Sequence, residues 1–184
     1  ETFDYPAITD HDDYITYKQW KAKGIVFCEG YGMKTNPFFK DLPMRGDKGQ
    51  VLEVRIPEAG FEKMFKDQVF IVPMAGGQYW IGATYEPRFE NEEPTEGGKN
   101  FLTTHLSATL KLPFEIMAHK AAVRPTVKDR RPLLGSHPEF AHLHLFNGLG
   151  TKGTSLGPYW ANHMSNYLLG SIEIDPQVDI RRFL

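Results

Sequence analysis

Apolar and polar positions alternate most clearly at residues 50–56, where Val51, Leu52, Val54 and Ile56 are set against Glu53 and Arg55. A period of two with one apolar face predicts a half-buried strand. Pro57 closes it, because proline cannot donate to a sheet ladder. Residues 69–72 and 79–84 are two further β-rich runs. They flank Met74-Ala75-Gly76-Gly77, and a Gly-Gly turn between two such runs predicts a hairpin. Ile25, Val26, Phe27 and Cys28 form a continuous apolar run, which predicts a short strand covered on both faces, as in a parallel sheet. Weaker strand patterns lie at 14–18, 120–123 and 143–146.

The helical period occurs twice. Leu102, Leu106 and Leu110 recur every four residues on one face. Thr95 precedes them as an N-cap, Glu96 places a carboxylate in the favourable first turn, and Pro113 ends the pattern. A second helix is expected from Thr154 or Ser155, as its cap, to about residue 169, with Gly170 as its terminator. Residues 1–13 are acidic, with no Lys or Arg before Lys18, and read as a solvated edge or loop. Hairpins segregated from two helices predict an α+β fold, a mostly antiparallel sheet with helices on one face.

Composition narrows the function. The 184 residues and 21.0 kDa suit one domain or two small ones. A formal net charge of −2 excludes a general nucleic-acid binder. The basic stretch at 124–131 also lacks the interleaved aromatics that stack on bases. The single cysteine, Cys28, excludes a disulfide framework and a Cys-based zinc site, and within its apolar run it reads as a buried small side chain. No stretch approaches the ~20 apolar residues of a membrane span, and no signal-peptide pattern opens the chain. A cytoplasmic location is therefore expected. Without an initiator Met, the chain is expected to be a piece of something longer.

The sharpest local feature is the glycine loop at 148–154. Gly148, Gly150 and Gly153 match G-x-G-x-x-G between a predicted strand and a predicted helix, with Glu173 about 20 positions on. Three readings stay open. Backbone N–H groups and a positive helix end can face an anion or a cofactor dipole. The loop can equally be a plain strand-to-helix turn. A complete NAD site needs several further βα units, and only a short stretch at 172–174 follows the helix. Lys152 adds a cation beside the helix start. Gly30-Tyr31-Gly32 is a second glycine pair, with Thr35 in the place of a third glycine, and reads alone as a tight turn. Pro125 keeps Arg124 extended at the end of a strand. There it suits either a bidentate grip on a carboxylate or an internal ion pair with Asp129. His142 and His144 share a strand face, but no third ligand lies at metal spacing, so no metal is expected.

Taken together and in order, five segments resemble the D-amino-acid oxidase and glycine oxidase family of FAD-dependent oxidoreductases. "KGIVFCEGYG" (23–32) resembles "adxvVxAaG", and "LPMRGDKGQVLEV" (42–54) resembles "lPlrPvrGqvl". "VFIVPMAGGQYWIGATYE" (69–86) resembles "yivPr-dG-vliGgTxe". "AVRPTVKDRRPLLG" (122–135) resembles "aGlRPxtpDgrPliG", and "LFNGLGTKGTSLGP" (145–158) resembles "atGhgxxGixlaP". The resemblance covers the C-terminal part of that family. The family's N-terminal pyrophosphate-binding G-x-G-x-x-G is absent, and the glycines at 148–153 correspond instead to a loop near the flavin ring. The resemblance implies a remnant of the FAD-binding domain at 1–36, a substrate domain at 37–123, and a return segment of the FAD-binding domain with the C-terminal helix at 124–184.

The same resemblance implies that Gly30, Gly148, Leu149, Gly150, Thr151, Lys152, Gly153 and Thr154 line an incomplete FAD site. Arg124 matches an arginine that grips a substrate carboxylate, and Lys152 a lysine near flavin and substrate. Met74 stands where the family often has Arg, and Arg130 and Arg131 replace the usual "gr". Met74, Tyr79 and Tyr85 are candidates for shaping substrate choice. The implied activity is oxidation of a C–N bond of an amine or amino acid by hydride transfer to FAD. The isolated chain is expected to be inactive and to need a missing N-terminal FAD-binding segment. The competing reading is a non-catalytic ligand-binding or structural module that shares this sheet.

Overall fold

The computed structural model describes residues 2–184. In chain order its strands are β1 (Ile8–Asp10), β2 (Ile15–Tyr17), β3 (Trp20–Ala22), β4 (Ile25–Phe27), β5 (Asp47–Arg55), β6 (Phe65–Lys66), β7 (Phe70–Pro73) and β8 (Gln78–Gly82). Helix α1 (Glu96–Thr109) follows, then β9 (Glu115–Arg124), β10 (Leu133–Ser136), β11 (Leu143–Asn147) and α2 (Gly153–Leu168). The result is α+β, as the segregated pattern predicts. Two compact units result: residues 47–123, and residues 1–46 together with 124–184.

The unit at 47–123 is a five-stranded sheet in the order β6-β7-β8-β5-β9. Its alternation is the one read from sequence. Leu52 and Val54 on one face of β5, and Ile56 just past its end, are fully buried and pack with Ile71, Ile81 and the Leu102 and Leu106 of α1. Thr95 caps α1, its Oγ1 accepting from the Gly98 N–H at 3.2 Å. The loop at 84–95 has little regular structure and is fastened to β5 by buried polar side chains. Lys48 Nζ donates to the carbonyls of Asn91 (3.2 Å) and Glu93 (2.7 Å). Gln50 donates to Glu86 and Thr95 and accepts from the Thr95 N–H at 2.8 Å. A buried ammonium is tolerated only when it is bonded and paired; here two carbonyls accept from it and the Glu86 carboxylate lies 3.8 Å away.

The other unit holds two three-stranded sheets, β1-β2-β3 and β10-β11-β4. Residues 37–46 belong to it, past the boundary expected at 36, because Phe39, Leu42 and Met44 are buried in its core with Phe27, Leu143 and Leu145. On the other face of the sheet, Leu134 and Phe146 pack against Met164 and Trp160 of α2.

Several expectations need correction here. The acidic start is not a loop throughout: β1 lies within it, and Asp10 pairs with His142 Nδ1 at 2.6 Å. Strand β4 is not covered on both faces. It pairs in parallel with β11 at the end of its sheet, so Val26 is 38% exposed. Cys28 is exposed rather than buried. Both residues line an apolar groove of about 320 Å³ with Phe146 and Met164. Partial burial and then the Glu29 carboxylate push the Cys28 thiol up, away from the thiolate a nucleophile requires. Strand β9 begins at Glu115, five residues before the predicted start, and lies at the edge of its sheet, with Arg124 as its last residue. Helix α2 starts at Gly153, and neither Thr154 nor Ser155 caps it. Gly170 does close the helix, with φ +73°.

Candidate functional site

Strands β4 and β11 run parallel in the register Leu143↔Ile25 to Leu145↔Phe27. Their carboxyl ends lead into the two glycine turns singled out by sequence. A crevice outside the carboxyl ends of parallel strands is where α/β sheets bind ligands. On the β4 side, Glu29 accepts from the Asn36 Nδ2 (2.7 Å) and from the Tyr5 hydroxyl. Burial, then the hydrogen bond and charge of Glu29, push the Tyr5 hydroxyl up to about 12, so it stays a donor. On the β11 side, the amide of Asn147 donates to the Gly30 carbonyl at 2.8 Å and accepts from the Gly148 N–H at 2.8 Å.

The Gly148 turn is a place where glycine is required. Its φ is +72°, and a Cβ there would lie 2.6 Å from Val127 Cγ2 and 3.1 Å from the Leu133 nitrogen. The chain then makes a short 3-10 turn, Gly150–Lys152, before entering α2. The Gly150 N–H donates to the Pro125 carbonyl at 3.1 Å, which ties the glycine loop to the residue after Arg124. The structure therefore brings together Gly30, Gly148, Leu149, Gly150 and the backbone that follows Arg124. Lys152 is the N-cap residue of α2, and it is exposed with Thr151 and Thr154. No side chain caps this end of α2. Its positive pole, Lys152 and an open Gly30 turn, where a Cβ would meet nothing within 4 Å, make up a glycine cradle whose positive potential favours an electron-rich or anionic group.

The candidates on the other unit divide. Met74 and Tyr85 are 44% and 64% exposed. Tyr79 is 3% exposed, and its hydroxyl donates to the Ala59 carbonyl at 2.9 Å, so its surface is spent on the core. The internal pairing considered for Asp129 goes to Arg182, whose Nε lies 2.9 Å from the carboxylate. Burial raises the Asp129 carboxyl, but the hydrogen bonds from Arg182 and the Arg131 N–H outweigh it and hold the group below the usual range. His142 is taken by Asp10, and His144 Nδ1 lies 2.8 Å from Ser136 Oγ. Among the described residues, no group of three or more His, Cys, Asp or Glu is placed to hold a metal ion. No helix among them is long and apolar enough to cross a membrane.

Sequence reasoning missed Asn147, Glu29 and Asn36. A polar residue at the last position of an apolar strand, directly before a glycine turn, was the available signal for Asn147.

Three imidazoles are pushed below their ordinary 6.5: His119 by burial and then Lys99, His144 by burial and then His142, and His137 by burial against the opposing Glu139 charge. The unfolded chain takes up protons at these groups that the folded chain refuses. Their contribution to stability is complete above about 6.5 and is lost progressively below it. The thermal midpoint should therefore fall as pH drops from about 7.5 to about 5, measured by circular dichroism at constant ionic strength. A flat profile would contradict these assignments.

Residues 7–167 match the family described as FAD dependent oxidoreductase. The glycine oxidase of Bacillus subtilis (strain 168) is 30% identical over 130 residues, which are 64% of this chain and 35% of that protein. The chain thus spans about a third of the length of that curated relative. The crystal structure of glycine oxidase from Bacillus cereus ATCC 14579 superposes with a TM-score of 0.70 at 22% identity, covering 90% of this chain and 48% of the other. L-proline dehydrogenase from P. horikoshii gives 0.74 at 14% identity, covering 96% and 52%. At those identities the two structures speak for the fold alone. The family match covers most of the chain, and the glycine cradle lies within it: this chain belongs to the family of FAD-dependent oxidoreductases that includes glycine oxidase.

Proposed function

We propose that this chain is the substrate-binding share, with one wall of the flavin site, of an oxidoreductase that oxidises a C–N bond of an amine or amino acid. In this reading the missing wall comes from an N-terminal FAD-binding segment, residues 1–46 and 124–184 join it, and residues 47–123 serve the substrate. A cytoplasmic location belongs to the same proposal. The observation that carries it is the pair of glycine turns at the carboxyl ends of β4 and β11, leading into the uncapped start of α2.

When bound, FAD supplies an acceptor for the hydride that leaves the carbon beside nitrogen. The residues of this chain bind and orient. Gly30 and the stretch Gly148, Leu149, Gly150, Thr151, Lys152, Gly153 and Thr154 hold the cofactor through backbone groups. The N-terminal pole of α2 and the Lys152 ammonium keep positive potential at that wall, which favours an electron-rich partner. Arg124 grips a substrate carboxylate, with Pro125 holding its backbone extended. Met74 and Tyr85 present exposed side chains that bear on substrate choice. No general base is assigned, because positioning a C–H bond against the acceptor is the main demand of the step.

Anaerobic mixing of the full-length protein with glycine, N-methylglycine and D- and L-amino acids tests this. Loss of the visible flavin band with at least one of them is expected. A flavin that none of them bleaches would move the activity away from C–N oxidation.

A further inference from the structure

We propose that Asn147 is a positioning residue for the cofactor: its side-chain amide clamps the Gly30 turn to the Gly148 turn and so fixes the width of the cradle. This rests on the FAD reading above. The β4–β11 ladder ends at the pair Leu145↔Phe27. Gly30 lies three residues beyond that pair on one strand, and Asn147 two beyond it on the other. The Asn147 amide is a cross-link past the end of the ladder. Its Nδ2 donates to the Gly30 carbonyl at 2.8 Å and its Oδ1 accepts from the Gly148 N–H at 2.8 Å.

An amide is suited to this place because one planar group carries both a donor and an acceptor. Aspartate keeps the acceptor but sets an oxygen against the Gly30 carbonyl. Leucine keeps the bulk and makes neither bond. Asn147 is 4% exposed, so its groups have little water to fall back on. The Gly30 turn is held from its other flank as well. Glu29 is fastened by Asn36, which is fully buried, and by Tyr5. With both flanks tied, the two turns meet a ligand at one fixed spacing. Without Asn147, only the backbone of the Gly148 turn sets that spacing.

The test uses the full-length protein. Asn147→Asp and Asn147→Leu are prepared as apoproteins and titrated with FAD by fluorescence quenching, next to wild type and Ser136→Ala. Ser136 makes two half-buried side-chain bonds in the same unit, to His144 and Tyr167 at 2.8 and 2.9 Å, and serves as a control for general loss of stability. Both Asn147 variants are expected to raise the Kd for FAD at least tenfold, and Ser136→Ala less than twofold. Should Asn147→Leu fail to fold, the isosteric Asn147→Asp carries the result. A Kd within twofold of wild type in Asn147→Asp overturns the clamp and leaves the FAD reading intact. An equal rise in Ser136→Ala also overturns it, since the effect would then be general. A wild-type protein that binds no FAD overturns the functional reading and the clamp together.

Discussion

Replacing Arg124 by alanine in the full-length protein raises the KM for a carboxylate-bearing substrate roughly ten- to a hundredfold, because one charge-assisted hydrogen bond is worth about 1.5–3 kcal/mol. The backbone around Arg124 is held on both sides. Arg124 is the last residue of β9, Pro125 keeps it out of the helical region, and the Thr126 N–H donates to the Arg124 carbonyl at 2.8 Å. The Thr126 carbonyl in turn accepts from the Arg45 N–H at 2.9 Å, and Pro125 accepts from Gly150. A guanidinium matches a carboxylate in two parallel bonds. A contact made equally in the bound and reacting states appears in KM and leaves kcat nearly unchanged. An amine without a carboxylate should be indifferent to the substitution. An unchanged KM for the carboxylate substrate, with a lowered thermal midpoint, would make Arg124 a structural residue.

Gly148→Ala should be the most damaging single methyl group in the cradle. The position has φ +72°, and the new Cβ would meet Val127 Cγ2 at 2.6 Å and the Leu133 backbone nitrogen at 3.1 Å. Val127 is 3% exposed and Leu133 fully buried, so neither has room to retreat. The left-handed conformation costs about 1–2 kcal/mol for a residue with a Cβ. Overpacking adds about 1–3 kcal/mol. A loss of about 2–5 kcal/mol is expected in urea unfolding, together with weaker FAD binding. Gly150→Ala is the milder comparison, since its nearest contact is Thr126 Cγ2 at 3.3 Å, although its φ of +57° carries the same backbone penalty. Equal, small effects at the two positions would contradict the close packing described at Gly148.

The parts of the fold legible in the sequence are those where one periodicity governs a whole element. Alternation along β5 and the four-residue spacing of Leu102 and Leu106 in α1 each face a single core, so pattern and burial agree. The Thr95 cap was legible because capping is local. The elements that were misread depend on what lies beyond them. The apolar run at 25–28 gives no sign that one of its faces meets only a shallow groove. Leu133 and Leu134 form β10 by pairing with β11, yet the five residues between Pro132 and Pro138 carry no strand periodicity of their own. Asp129 and Arg182 are 53 positions apart, and no local spacing announces their pairing.

The candidate site was legible to the same degree. The glycines at 148–153 and Arg124 stand out as residue types, and the structure ties their backbones together through Gly150 and Pro125. Lys152 falls in the loop where the pattern put it, whereas α2 starts at Gly153, before the Thr154 or Ser155 expected as its cap. Asn147 did not stand out, because its role depends on the carbonyl of Gly30, 117 positions earlier in the chain. Tyr79 looked available in a β-rich run, but strand phase turns it into the core.

The visible absorption spectrum of the full-length protein, purified without added cofactor and again after incubation with FAD, tests the central claim most directly. The full-length protein is expected to show a flavin spectrum with FAD near one equivalent per chain, and the 184-residue chain alone to retain little or no FAD. A full-length protein that stays colourless after incubation with FAD would contradict it.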